Sequence, residues 1–124
     1  MSTGTPVPPS PGDFIVVLVT VPDEELAGRL AHALVTEQLA ACVNVLPSVR
    51  SVYVWEGEIC NEGELLCLIK TRRELFSALR ERVLVLHPYQ VPEIIAVPLV
   101  EGSDTYLAWL RDSTRPGAPD LEAK

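Results

Sequence analysis

The chain of 124 residues carries seventeen acidic and ten basic side chains, a formal charge of −7 and a pI near 4.7. That balance excludes an electrostatic grip on nucleic acid, which needs clustered cations to displace counterions from phosphates. With 48% apolar residues and no apolar run near the ~20 residues that span a bilayer, one globular domain away from the membrane is expected.

Residues 1–12 and 114–124 are rich in proline, glycine and small polar residues and are expected to be disordered tails around a domain at 13–113. The N-terminal stretch lacks the basic and apolar regions of a signal peptide. Cys42, Cys60 and Cys67 are odd in number and form no CxxC pair, so buried thiols in a reducing, cytoplasmic setting are expected rather than disulfides. Phe14-Ile-Val-Val-Leu-Val-Thr20 is apolar at both parities, the pattern of a central strand covered above and below. Asp23 is placed to cap a helix that Glu24 and Glu25 favour at its positive end, with Leu26, Leu30, Ala33 and Leu34 as the buried stripe. His32 lies beside that stripe and is expected to be partly solvated.

Ala41 to Leu46 reads as a second strand, interrupted at Pro47 and resumed from Val49 to Glu56. Alternation puts Tyr53 and Trp55 on one face and Val52 and Val54 on the other. A turn at Glu56-Gly57-Glu58 returns the chain into a third strand, clearest from Glu64 to Thr71, which makes a long hairpin. Thr71-Arg-Arg-Glu74 fits a capping box ahead of a second helix with Leu75, Leu79, Val83 and Leu86 as its apolar row. Pro88 and Pro92 bias His87 and Val91 toward extended backbone, so that helix ends at Leu86 and the imidazole sits on a stiff turn. A last strand from Glu93 to Val100 contains Pro98 and therefore belongs at a sheet edge or a bulge. Gly102-Ser103-Asp104 then opens a short helix with Tyr106, Leu107, Trp109 and Leu110.

The order β-α-β-β-α-β-α with short connections predicts an α+β, ferredoxin-like βαββαβ sandwich with an extra C-terminal helix. Two helices cover one sheet face, yet Phe14–Val19 and Leu65–Ile69 are apolar at both parities. Several hundred Å2 of wet apolar sheet, at ~25 cal/mol per Å2, is worth roughly 10 kcal/mol before association costs. A homo-oligomer is expected on that ground. Lys70, at the end of an apolar strand, needs a partner, and Glu64 or Glu93 could supply it. No nucleophile elbow, metalloprotease helix, P-loop or dinucleotide fingerprint is present, and the chain is read as non-enzymatic.

Six ordered motifs resemble the CutA divalent-cation tolerance family: Thr20-Val-Pro-Asp23, Leu39-Ala-Ala-Cys-Val-Asn44, Val52-Tyr-Val-Trp-Glu-Gly57, Ile69-Lys-Thr71, His87-Pro-Tyr-Gln-Val-Pro-Glu93 and Tyr106-Leu-Ala-Trp109. The resemblance implies a compact homotrimer paired through extended second and third strands, similar to nitrogen-regulatory signal proteins. It also implies a role in tolerance or response to copper and other divalent metals, with weak Cu(II) binding. Some members place a cysteine where this chain has Val19 and a second histidine where it has Leu86, which leaves His87 as the metal-ligand candidate. Trp55, Lys70, Tyr89 and Glu93, with His87, are the polar-tipped residues of the matched motifs and are expected to meet at an intersubunit cleft. The alternatives at this level are an intersubunit salt bridge, or a structural or signalling trimer that takes a protein partner or small ligand there.

Overall fold

A computed structural model describes residues 9–117. It runs β1 (Phe14–Val21), α1 (Glu24–Thr36), β2 (Cys42–Trp55), β3 (Glu58–Arg72), α2 (Phe76–Leu86), β4 (Ile94–Pro98) and α3 (Asp104–Asp112). The strands form one sheet in the order β2-β3-β1-β4, with every neighbouring pair antiparallel. This is the expected α+β, ferredoxin-like arrangement, with a long β2–β3 hairpin and an added C-terminal helix. β4 lies at an edge, where the missing amide of Pro98 breaks no interior ladder. No helix among the described residues is long and apolar enough to cross a membrane.

Strand parity divides the sheet into two unlike faces. Val17, Val19 and Val21 of β1, with Leu65, Cys67 and Ile69 of β3, pack beneath α1 and α2. Those helices contribute Leu26, Ala27, Leu30, Leu34, Leu79 and Val83. Ala27 takes the inner place expected for Ala33, which is only half-buried. Asp23 caps α1 as its position suggests, accepting the Leu26 amide at 2.8 Å. α3 closes a smaller cluster of Phe14, Ala41, Leu107 and Leu110. On the opposite sheet face Val16, Leu18, Leu66 and Leu68 are half-buried, and Leu46, Ile95 and Val97 are 39%, 54% and 48% exposed.

Several expectations are corrected by the structure. Thr71 does not cap α2: it is the inward end of β3, fully buried, and its hydroxyl donates to the Leu39 carbonyl at 2.6 Å. A 3-10 turn, Arg73–Leu75, leads into α2 instead. β2 is not broken at Pro47 but bulged, because Leu46 pairs with Leu66 and Val49 with Glu64, which leaves one residue too many on β2. Ser48 absorbs the extra residue at φ 65°.

β4 is shorter than expected, and Cys42 and Cys60 are half-buried where full burial was expected. The body also continues past Ser113. Thr114 is 5% exposed, and Arg72 donates to its hydroxyl and carbonyl at 2.8 and 2.9 Å. At the other end Pro11–Asp13 forms a 3-10 turn, and Arg73 donates to the Gly12 carbonyl. The remainder of both expected tails, 1–8 and 118–124, lies outside the described residues.

Cys67 has no exposed surface, and burial pushes its thiol from the ordinary 9.0 up to about 11. The folded state favours the protonated thiol. Its contribution is therefore complete below pH 9 and is lost as pH rises through 9 toward 11, by about 3 kcal/mol. Urea denaturation of wild type and Cys67→Val across that window is expected to show wild type losing about that much stability relative to the variant.

Candidate functional site

Two prolines shape the turn behind α2. Pro88 holds His87 at φ −84°, ψ 133°, which ends the helix, while the His87 amide still donates to the Val83 carbonyl at 2.8 Å. The ring folds back toward β1. Its Nε2–H donates to the Thr20 carbonyl at 2.8 Å, and Nδ1 accepts the Tyr89 amide at 3.2 Å. Those two bonds require the neutral tautomer with its proton on Nε2. The imidazole is 7% exposed and lies against the Tyr89 ring, with centroids 4.6 Å apart and planes tilted by 58°. His87 thus fixes the direction of Tyr89, whose hydroxyl donates to Glu64 Oε2 at 2.8 Å. Burial, and then the bond to Glu64, raises the Tyr89 phenol above its ordinary value.

The hairpin supplies the opposite wall. Beyond the bulge, Ser51 pairs with Glu62, Tyr53 with Cys60 and Trp55 with Glu58, so these side chains share the sheet face that carries Glu64. Tyr53 donates to Glu62 Oε1 at 2.5 Å, and that bond is the main cause of its phenol being raised to about 12. Between hairpin and turn lies a cleft of about 590 Å3 lined by Thr20, Ser51, Tyr53, Trp55, Glu62, Glu64, Tyr89, Gln90 and Glu93, among others. Three carboxylates and three aromatic rings face it, and among the described residues no cationic side chain lines it. None of the ion pairs among the described residues includes Glu62, Glu64 or Glu93.

The expected site residues therefore separate. Trp55, Tyr89 and Glu93 line the cleft, and His87 stands behind its wall as the clamp for Tyr89. Lys70 does not join them within one chain. It is six residues from Glu64 along β3, about 20 Å at 3.3 Å per residue, and its ammonium bonds the Asn44 side-chain carbonyl instead of Glu64 or Glu93. The motifs passed over Glu62, and Thr20, which opens the first of them, was not singled out as a site residue. The period-two spacing of Glu58, Glu62 and Glu64 opposite Trp55, Ser51 and Val49 was the available signal.

As a metal ligand, His87 offers no free lone pair in this arrangement, because one nitrogen donates and the other already accepts. Among the described residues no group of three or more His, Cys, Asp and Glu side chains is placed to hold a metal ion. The residues present do not form a dedicated metal centre. A second hollow of about 410 Å3, beside Arg72, Arg73 and Arg111, is balanced by Asp13 and Glu74. There Arg72 is spent on Thr114 and the Arg111 carbonyl, and Arg73 on the Gly12 carbonyl.

The divalent-cation tolerance protein CutA of Thermus thermophilus is 56% identical over 99 residues, covering 80% of this chain and 96% of that protein. The chloroplastic protein CutA of Arabidopsis thaliana is 52% identical over 101 residues, 82% of this chain but only 56% of the longer plant protein. The crystal structure of CutA1 from Oryza sativa superposes with a TM-score of 0.80 at 51% identity, covering 82% of this chain and 94% of that one. The sequence model of the CutA1 divalent ion tolerance protein family matches residues 15–113, and the chain belongs to that family.

Proposed function

We propose that the protein serves divalent-cation tolerance as a homotrimer without catalysis, meeting cations weakly at the rim of its clefts. The observation that carries assembly is the apolar sheet face, together with a hairpin whose Val52, Val54 and Ile59 are 64%, 67% and 77% exposed in the single chain. Surface of that extent is unstable in water unless another copy covers it. The cation contact falls to Glu62 and Glu93, exposed carboxylates on the cleft wall, with water completing the shell. Two hard oxygen donors bind Cu(II) or another divalent ion loosely and with little selectivity. Three free thiols fit a reducing compartment such as the cytoplasm.

A second reading is favoured by one observation, the commitment of both His87 nitrogens. Under it, a structural or signalling trimer takes a protein partner or small ligand at the same clefts. Calorimetric titration of Cu(II) and Zn(II) separates the two. Weak binding, equal in wild type and His87→Ala and reduced in Glu62→Gln/Glu93→Gln, is the expected result. No heat in any protein would favour the second reading, and tight Cu(II) binding lost with His87 would overturn the carboxylate rim.

A further inference from the structure

We propose that Lys70 of one copy seats against Glu64 of the next, so that each cleft is completed by an ammonium from a second chain. The inference rests on the homotrimer reading above and adds the residue pair that joins the copies.

Glu64, Leu66, Leu68 and Lys70 occupy one parity of β3, on the sheet face that α1 and α2 do not cover. This strip is apolar in the middle and charged at both ends, negative at Glu64 and positive at Lys70. About 20 Å separates the two, far more than a lysine side chain spans, so they cannot neutralise each other within one chain.

Among the described residues each end lacks an opposite charge. Glu64 is 6% exposed and its hydrogen-bond partner is a neutral phenol, while Glu62 and Glu93 in the same cleft add negative charge. A carboxylate withdrawn from water without a cation is costly. Lys70 is half-buried and meets only the neutral Asn44 amide. The other cation of this parity, Arg72, already holds Thr114 and the Arg111 carbonyl and lies 3.7 Å from Glu74. Among the described residues Lys70 is therefore the one cation on this face outside an ion pair.

A second copy laid on the face covers Leu66 and Leu68 and brings a positive end to a negative one. The cleft suits that occupant. Tyr53 and Trp55, 39% and 41% exposed, offer aromatic surface to the lysine stem and its charge, and Glu64 lies behind them.

The test follows assembly of the full chain by light scattering and sedimentation over a dilution series, for wild type, Lys70→Glu, Glu64→Lys and the exchanged double variant. Each single reversal is expected to raise the dissociation constant of the oligomer about 30-fold or more. The exchange is expected to return it to within about threefold of wild type. Should Glu64→Lys fail to fold, the milder pair Lys70→Met and Glu64→Gln carries the test, because coupled residues lose little more together than singly. Additive losses, or a Lys70→Glu protein that assembles like wild type, would overturn the pairing while leaving the trimer intact. A wild-type chain that is monomeric at every concentration would overturn the trimer itself, and the pairing with it.

Discussion

Replacing His87 with alanine is expected to lower the free energy of unfolding by about 2–4 kcal/mol while leaving the affinity for divalent cations unchanged. The substitution strips the Thr20 carbonyl of its donor and the Tyr89 amide of its acceptor, at a residue only 7% exposed. Each buried polar group left without a partner costs about 1–3 kcal/mol, and the lost packing against the Tyr89 ring adds to this. Urea denaturation gives the stability and calorimetry the affinity. A stability change under about 1 kcal/mol, with affinity falling tenfold, would make the imidazole a ligand and defeat its assignment as a clamp.

A glutamate in place of Leu68 is expected to dissociate the assembly while leaving each chain folded. Leu68 lies mid-sheet between Leu18 and Asn44, on the face away from α1 and α2. A carboxylate there touches none of the helix-side core, so circular dichroism of the variant should match wild type. Burying that charge between copies costs about 4 kcal/mol, roughly a thousandfold in the dissociation constant. Val85→Glu, at a position on α2 that is 74% exposed, serves as the control and should assemble normally. A Leu68→Glu protein with the mass of the wild-type oligomer would show that the apolar face is not where copies meet.

What could be read before the fold was known depended on how far along the chain each residue finds its partner. Asp23 reaches Leu26 three residues on, and Pro88 acts on the residue before it, so the helix start and the bend at His87 were both legible. The two-sided apolar pattern of β1 and β3 carried the sheet, its helix cover and its bare face, because strand parity is a local property. Thr71 looked like a cap for the helix after it, but its hydroxyl goes to Leu39, 32 positions away. Thr114 looked like tail, yet it is held by Arg72 across 42 positions. His87 announced itself as a site residue, but the Thr20 carbonyl that consumes its Nε2–H lies 67 positions earlier. A motif can display an imidazole; it cannot show whether the lone pairs are already taken. Lys70 is a different case, since counting along β3 shows that it cannot reach Glu64 of its own chain.

The bulge at Pro47 and Ser48 acts as a phase switch within a single strand. Before it the even-numbered residues of β2 share the face of Leu66 and Leu68; after it the odd-numbered ones do. Removing one residue of contour there would turn Tyr53 and Trp55 toward the opposite side of the hairpin. The phenol held by Glu62 and the indole would leave the recess, while β1, β3 and both covering helices kept their places. The chemical character of the recess is thus separable from the architecture that supports it, and a change of chain length by one at this point could recast the former without disturbing the latter.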